Sequence, residues 1–195
     1  MTTQHQSIQH SAAARFAESL EQDHRLDALR SVYTKLAGVL PKGSALDELR
    51  GRSLGHALHP VLTDLPLGLW LSTIVLDLTG PSKHADAARR LVGTGVIMAA
   101  PTALSGLADW SGLRSVESSR VGALHGNLNA IGALVFGASW LCRRRGKQAA
   151  GVATAVVGGV IVTVSGYLGG HLTLRRGEPL ASGVDAAASS PGSVV

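Results

Sequence analysis

The sequence predicts an all-α protein: a four-transmembrane-helix up-down bundle with an N-terminal amphipathic helical arm. Three observations predict it. Four apolar segments, each about the length of a bilayer span, fill the stretch from Leu62 to Leu172. Charged residues make up only 16% of the chain, and all but Asp64 and Asp77 lie in the N-terminal segment, the connections and the tail. Glycine is abundant, at 24 residues, while aromatic residues supply only 4%. A soluble bundle needs a charged face on each helix, and the spans lack one. Small residues, in turn, are what helices use to approach one another in lipid.

The elements follow in order. Residues 1–11 are polar and predict a disordered start. From Ser11 to Leu40 apolar residues recur at spacings of three and four (Phe16, Leu20, Leu26, Leu29, Val32, Tyr33, Leu36, Leu40), with charges between them. That is the pattern of an amphipathic helix, or two, lying on the membrane or against the bundle. Pro41-Lys42-Gly43 ends the segment. Residues 1–50 therefore read as polar tail and arm, 51–174 as the membrane domain, and 175–195, rich in Ala, Ser, Gly and Pro, as a disordered tail. No cleavable signal is expected, because no apolar core falls within about the first 30 residues.

The spans cover about 62–78, 91–107, 121–141 and 149–172, each near the roughly 17–25 residues that a bilayer core requires. Asp64, Pro66 and Asp77 interrupt the first, and Pro60 just before it biases His59 away from helical backbone. The second has no charge. The third contains His125, Asn127 and Asn129, and the fourth ends at His171. Short connections make neighbouring spans antiparallel. Gly122 with Gly126, and Gly166 with Gly170, are small pairs at four-residue spacing and read as helix contact faces.

Topology then sorts the polar residues. Let face A be the membrane side at which the first span begins. His56 and His59 precede that span, Asp64 lies one turn inside it, Asp109 closes the second, His125 opens the third and His171 closes the fourth. All six fall at face A. Face B carries His84 and the basic residues Lys83, Arg89, Arg90, Arg143, Arg144, Arg145 and Lys147. Neutral imidazole is a ligand for transition metals and for haem iron, and a ligating histidine passes its other N–H to a carboxylate or carbonyl. The expected metal- or haem-binding set is thus His56, His59, His125 and His171, with Asp64 and Asp109 as ligands or supporting carboxylates. The structural reading of the same cluster is that these residues cap spans, sit among headgroups or pack the bundle.

Other chemistry is excluded or unsupported. A single cysteine, Cys142, rules out an intrachain disulfide, a Cys-ligated iron–sulfur cluster and a Cys-rich zinc site. The net charge of +5 resides in residues flanking the spans, which marks them as topology and headgroup anchors and not as a nucleic-acid footprint. No phosphate-binding loop or nucleophile elbow is present. Basic residues balance between the two faces, so charge does not fix orientation; the untranslocated arm favours a cytoplasmic face A.

The runs GHALHPVLTDLPLGLWLSTIVLDL, GLADW, RVGALHGNLNAIGALVF and VSGYLGGHL, from about Gly51 to Leu172, resemble the bacterial family of membrane proteins called DUF2231. The family pattern falls here on His56, His59, Pro60, Asp64, Pro66, Gly68, Asp109, His125, Asn129, Gly170 and His171. The resemblance implies a four-span membrane domain, multi-pass in the bacterial inner (plasma) membrane. Fusion of some members to a Rieske iron–sulfur domain implies an electron-transfer setting, in which this chain would need a separate Rieske-type or other redox protein as partner. Two functions are therefore expected to compete. One is a membrane-embedded haem- or metal-binding redox subunit using the face-A histidines and aspartates. The other is a non-catalytic membrane scaffold that docks a partner, with the same residues serving structure. A transporter or channel ranks last, because the second span offers almost no polar path.

Overall fold

The computed structural model describes residues 11–178. The segments 1–10 and 179–195, parts of the two tails expected to be disordered, lie outside the described residues. Every regular element among the described residues is helical: α1 Ala12–Glu21, a short turn at His24–Leu26, α2 Asp27–Ala37, α3 Ser44–Leu49, a second turn at Arg52–Leu54, then α4 Leu58–Thr79, α5 Ala85–Trp110, α6 Val116–Arg144 and α7 Gln148–Gly170, closed by one π turn at His171–Arg175. The last four are long and apolar enough to cross a membrane, as the sequence predicts. Contacts divide the chain into two compact units. Among the described residues, 11–57, 107–125 and 167–178 make the first; Leu58–Gly106 and Gly126–Gly166 make the second.

The arm is two main helices, not one. Ser11 caps α1 by accepting a hydrogen bond from the Ala14 amide at 3.1 Å, and Asp23 restarts the chain by accepting from the Arg25 amide at 2.9 Å. A short side-chain oxygen at such a position satisfies an amide that the helix leaves unpaired. Gly51 and Gly55 take left-handed backbone, with φ of 85° and 71°, and bracket the Arg52–Leu54 turn.

The four long helices have 22, 26, 29 and 23 residues; the first three extend past their apolar windows at both ends, and the fourth gives way to the π turn at His171. Hydropathy marks the stretch that crosses hydrocarbon, not where backbone hydrogen bonding stops. At its start α4 corrects the sequence reading. It begins at Leu58, two residues before Pro60, and includes His59. Proline is tolerated there because amides of the first turn have no intrahelical partner to lose.

Pro66 is a different case. Deep in α4 it has no N–H to give the Leu62 carbonyl. The hydroxyl of Thr102 on α5 lies 3.1 Å from that carbonyl and 2.8 Å from the carbonyl of Met98, sharing its one proton between them. His59 completes the exchange, its Nδ1 donating to the Thr102 carbonyl at 3.0 Å. Thr102→Val should leave the Leu62 carbonyl unpaired and lower stability by about 1–3 kcal/mol, read as thermal unfolding in detergent. Thr73→Val, which removes a hydroxyl bonded only within α4, should cost less.

The core of the second unit is aromatic on glycine. Trp70 and Phe136 stack with centroids 4.2 Å apart and planes 9° from parallel, among Val92, Ala155 and Val162. Trp70 lies on Gly95, Trp140 on Gly93 and Phe136 on Gly158; a Cβ at Gly95 would lie 2.4 Å from the indole nitrogen. Glycine thus creates the groove and the ring fills it, giving the dispersion contact that holds helices together in lipid. Outward, Leu71, Leu78, Ile97, Leu134 and Val160 are exposed, an apolar surface of the kind that meets acyl chains. Gly122 does receive neighbours, Trp110 and Leu113, but a Cβ at Gly166 or Gly170 would meet nothing within 4 Å. The second small pair is therefore not a contact face among the described residues; Gly169, one position away, is the glycine in contact, against His125.

Candidate functional site

In the first unit the arm is fastened by charge. Arg120, in the second turn of α6, is buried. Its guanidinium donates to both carboxylate oxygens of Asp27 at 2.8 and 3.0 Å, to the Glu21 carbonyl at 3.0 Å and to His24 Nδ1 at 2.9 Å. The planar fork of arginine suits a carboxylate with two oxygens in reach. The Asp27 carboxyl is held down at about 2 by its hydrogen bond from Arg120.

His171 forms the second fastening. Its Nε2 lies 2.7 Å from Oε1 of Glu21, and both residues are buried. Arg175 pairs with Glu18, and Arg176 approaches the other Glu21 oxygen at 3.7 Å. Glu178 accepts from the Arg114 amide at 2.8 Å and from the Ser118 hydroxyl at 2.9 Å, so residues 175–178, which the sequence assigns to the tail, hold the start of α6. Arg50 donates to the Ala108 carbonyl at 3.0 Å and to the Ser111 hydroxyl at 2.9 Å. A cation against the last carbonyls of a helix also suits its dipole. Tyr33 packs on Trp110, with centroids 5.6 Å apart.

The expected ligands are distributed as follows. His56 is exposed, and its Nδ1 lies 3.2 Å from the carbonyl of the next residue, Ala57. Asp109 is buried, within electrostatic reach of Arg50. His125 fills the space over Gly169, where a Cβ would lie 2.9 Å from Cε1. His171 is engaged by Glu21. These four belong to the first unit. In the second, His59 sits over Gly106 and donates to the Thr102 carbonyl, which fixes a neutral ring as the Nδ1–H tautomer. Asp64 is exposed. Among the described residues no three His, Cys, Asp or Glu come together in an arrangement that could hold a metal ion.

Sequence reasoning missed the residues that carry the most charge inside the fold. Besides Glu21, Asp27 and Arg120, these are Asp77 and Arg143 of the second unit. Their bidentate pair is closed by hydrogen bonds of 2.9 and 2.5 Å, with side chains 4% and 0% exposed. Ser139 supports it: its hydroxyl donates to the Gly151 carbonyl at 2.6 Å and accepts from Arg143 Nε at 3.2 Å.

Residues 55–178 match the family model described as "Predicted membrane protein (DUF2231)". Neither the curated proteins nor the solved structures offer a match. With well over half of the chain covered and four helices able to cross a bilayer, this multi-pass membrane protein belongs to the DUF2231 family.

Proposed function

We propose that the protein is a non-catalytic scaffold of the bacterial inner membrane, in which polar residues at the span ends fasten the N-terminal arm and present it to a partner. Helical spans suit that membrane, since outer-membrane proteins cross as barrels. The observation that carries the reading is the buried Glu21–His171 pair. One nitrogen of the His171 imidazole engages a carboxylate of the arm, and Arg120 repeats the device on Asp27.

The other reading is a haem- or transition-metal-binding subunit exchanging electrons with a separate Rieske-type protein. Fewer observations support that reading. His171 is bonded to Glu21, His56 turns to its own chain, Asp64 is exposed, and no ligand group of three assembles among the described residues.

The scaffold reading is tested by freeing the arm. Arg120→Ala and His171→Ala should each expose residues 12–37 to protease in reconstituted protein while the four spans stay protected. A charged hydrogen-bonding partner of this kind contributes about 1.5–3 kcal/mol, or roughly tenfold or more in arm opening. Acid should act in the same direction. The folded Asp27 pKa of about 2 lies below the ordinary carboxylate value of 3.8. The unfolded form therefore binds the extra proton, and stability rises with pH across that interval. The contribution is complete above about pH 5, declines as pH falls past the ordinary value and is gone below about 2. Asp27→Asn should flatten that acid limb in hydrogen exchange of the arm. An arm equally protected in all variants would contradict the reading.

A further inference from the structure

The helix α2 has two working faces, and the fastenings described above use one. Asp27 and Tyr33 point to Arg120 and Trp110. On the other side Val32, Leu36 and Val39 are 50%, 47% and 82% exposed. Val32 and Leu36, four apart, share one stripe of α2, and Val39 follows in the turn just past its end. Lys35 and Lys42 are exposed beside it. Between Ala28 and Leu46 the charged residues are Arg30, Lys35 and Lys42, with no carboxylate.

We propose that this stripe is a lipid-binding surface, dipping into the headgroup and upper acyl region of the leaflet from which the spans emerge, with Lys35 and Lys42 on anionic headgroups. The proposal does not depend on the scaffold reading. Three features select a bilayer over other occupants. Trp110 ends one span and Arg120 begins the next, so contacts with these two residues set α2 at the depth where spans meet water. The Tyr33–Trp110 pair is of the amphipathic aromatic kind that settles at that boundary. An apolar stripe flanked only by cations is complementary to an anionic surface, and such helices lie in the interface plane.

The test uses full-length protein, one copy per lipid nanodisc, in a Cys142→Ser background that removes the native thiol. Leu36→Cys and Val39→Cys carry a polarity-sensitive fluorophore, and Gln22→Cys, exposed on α1's C-cap, serves as the aqueous reference. In discs containing phosphatidylglycerol, the stripe labels should be quenched several-fold more by nitroxide lipids than the reference, and several-fold less by iodide. Lys35→Gln with Lys42→Gln should remove the difference between anionic and purely zwitterionic discs. Iodide access equal to that of Gln22→Cys would overturn the proposal. So would shielding of the labels that appears only when two copies share a disc, which would assign the stripe to a second copy of the chain.

Discussion

Arg143→Leu is expected to produce one of the two largest losses of stability of any single substitution in the chain, about 3–5 kcal/mol, because it strands the Asp77 carboxylate in a buried site. The pair sits near the ends of α4 and α6, with both side chains almost fully enclosed. Neither charge has water to return to when its partner is removed, and the apolar surroundings magnify the loss. Asp77→Leu should cost a similar amount for the mirror reason. The double variant Asp77→Leu/Arg143→Leu should recover most of it, since two apolar side chains replace a desolvated pair. Unfolding in denaturing detergent, followed by circular dichroism, reads all three. Equal and additive losses across the cycle would show that the two charges do not depend on each other.

Gly95→Val is the second large effect. The first added carbon would lie 2.4 Å from the Trp70 indole nitrogen and 2.7 Å from Cδ1. Trp70 has no room to retreat: it is 4% exposed and stacked on Phe136, whose own ring fills the space over Gly158. Overpacking of this kind costs about 1–3 kcal/mol when the neighbours give. Here the displaced indole also surrenders its stack, about a further 1 kcal/mol. The result should be a destabilised protein with altered tryptophan emission. Gly137→Ala is the control. Its Cβ would meet nothing within 4 Å, and the gain in helix propensity makes it neutral or slightly stabilising.

These two sites also show what a sequence makes legible. The four helices were readable because lipid imposes length and apolarity on any span, and no distant residue is needed to see that. Helix ends were less so: α4 starts before Pro60 because the missing proline amide falls in the first turn, where its absence is harmless. The Asp77–Arg143 pair was within reach. Topology places both residues at face B, and sorting acids by face, as the histidines were sorted, would have set Asp77, one of two acids there with Asp86, beside the arginines of that face. Glu21 and Asp27 were not within reach. They lie in the arm, which topology puts at face A but, outside any span, leaves without a register against the span ends, and His171 finds Glu21 across 150 positions. Gly166 and Gly170 carry the right spacing but open onto space, because four-residue periodicity defines a helix face without saying which way that face points.

The six histidines and aspartates of face A are where the two accounts of the protein part, and spectroscopy separates them most directly. Protein purified from native-like membranes should be measured for visible absorption, oxidised and reduced, and for metal by elemental analysis. The scaffold account predicts no Soret band and no metal in stoichiometric amount, from a folded protein whose arm His171→Ala releases. A Soret band, or one metal per chain that disappears on replacing His125 or His56, would contradict it and return those residues to the role of ligands.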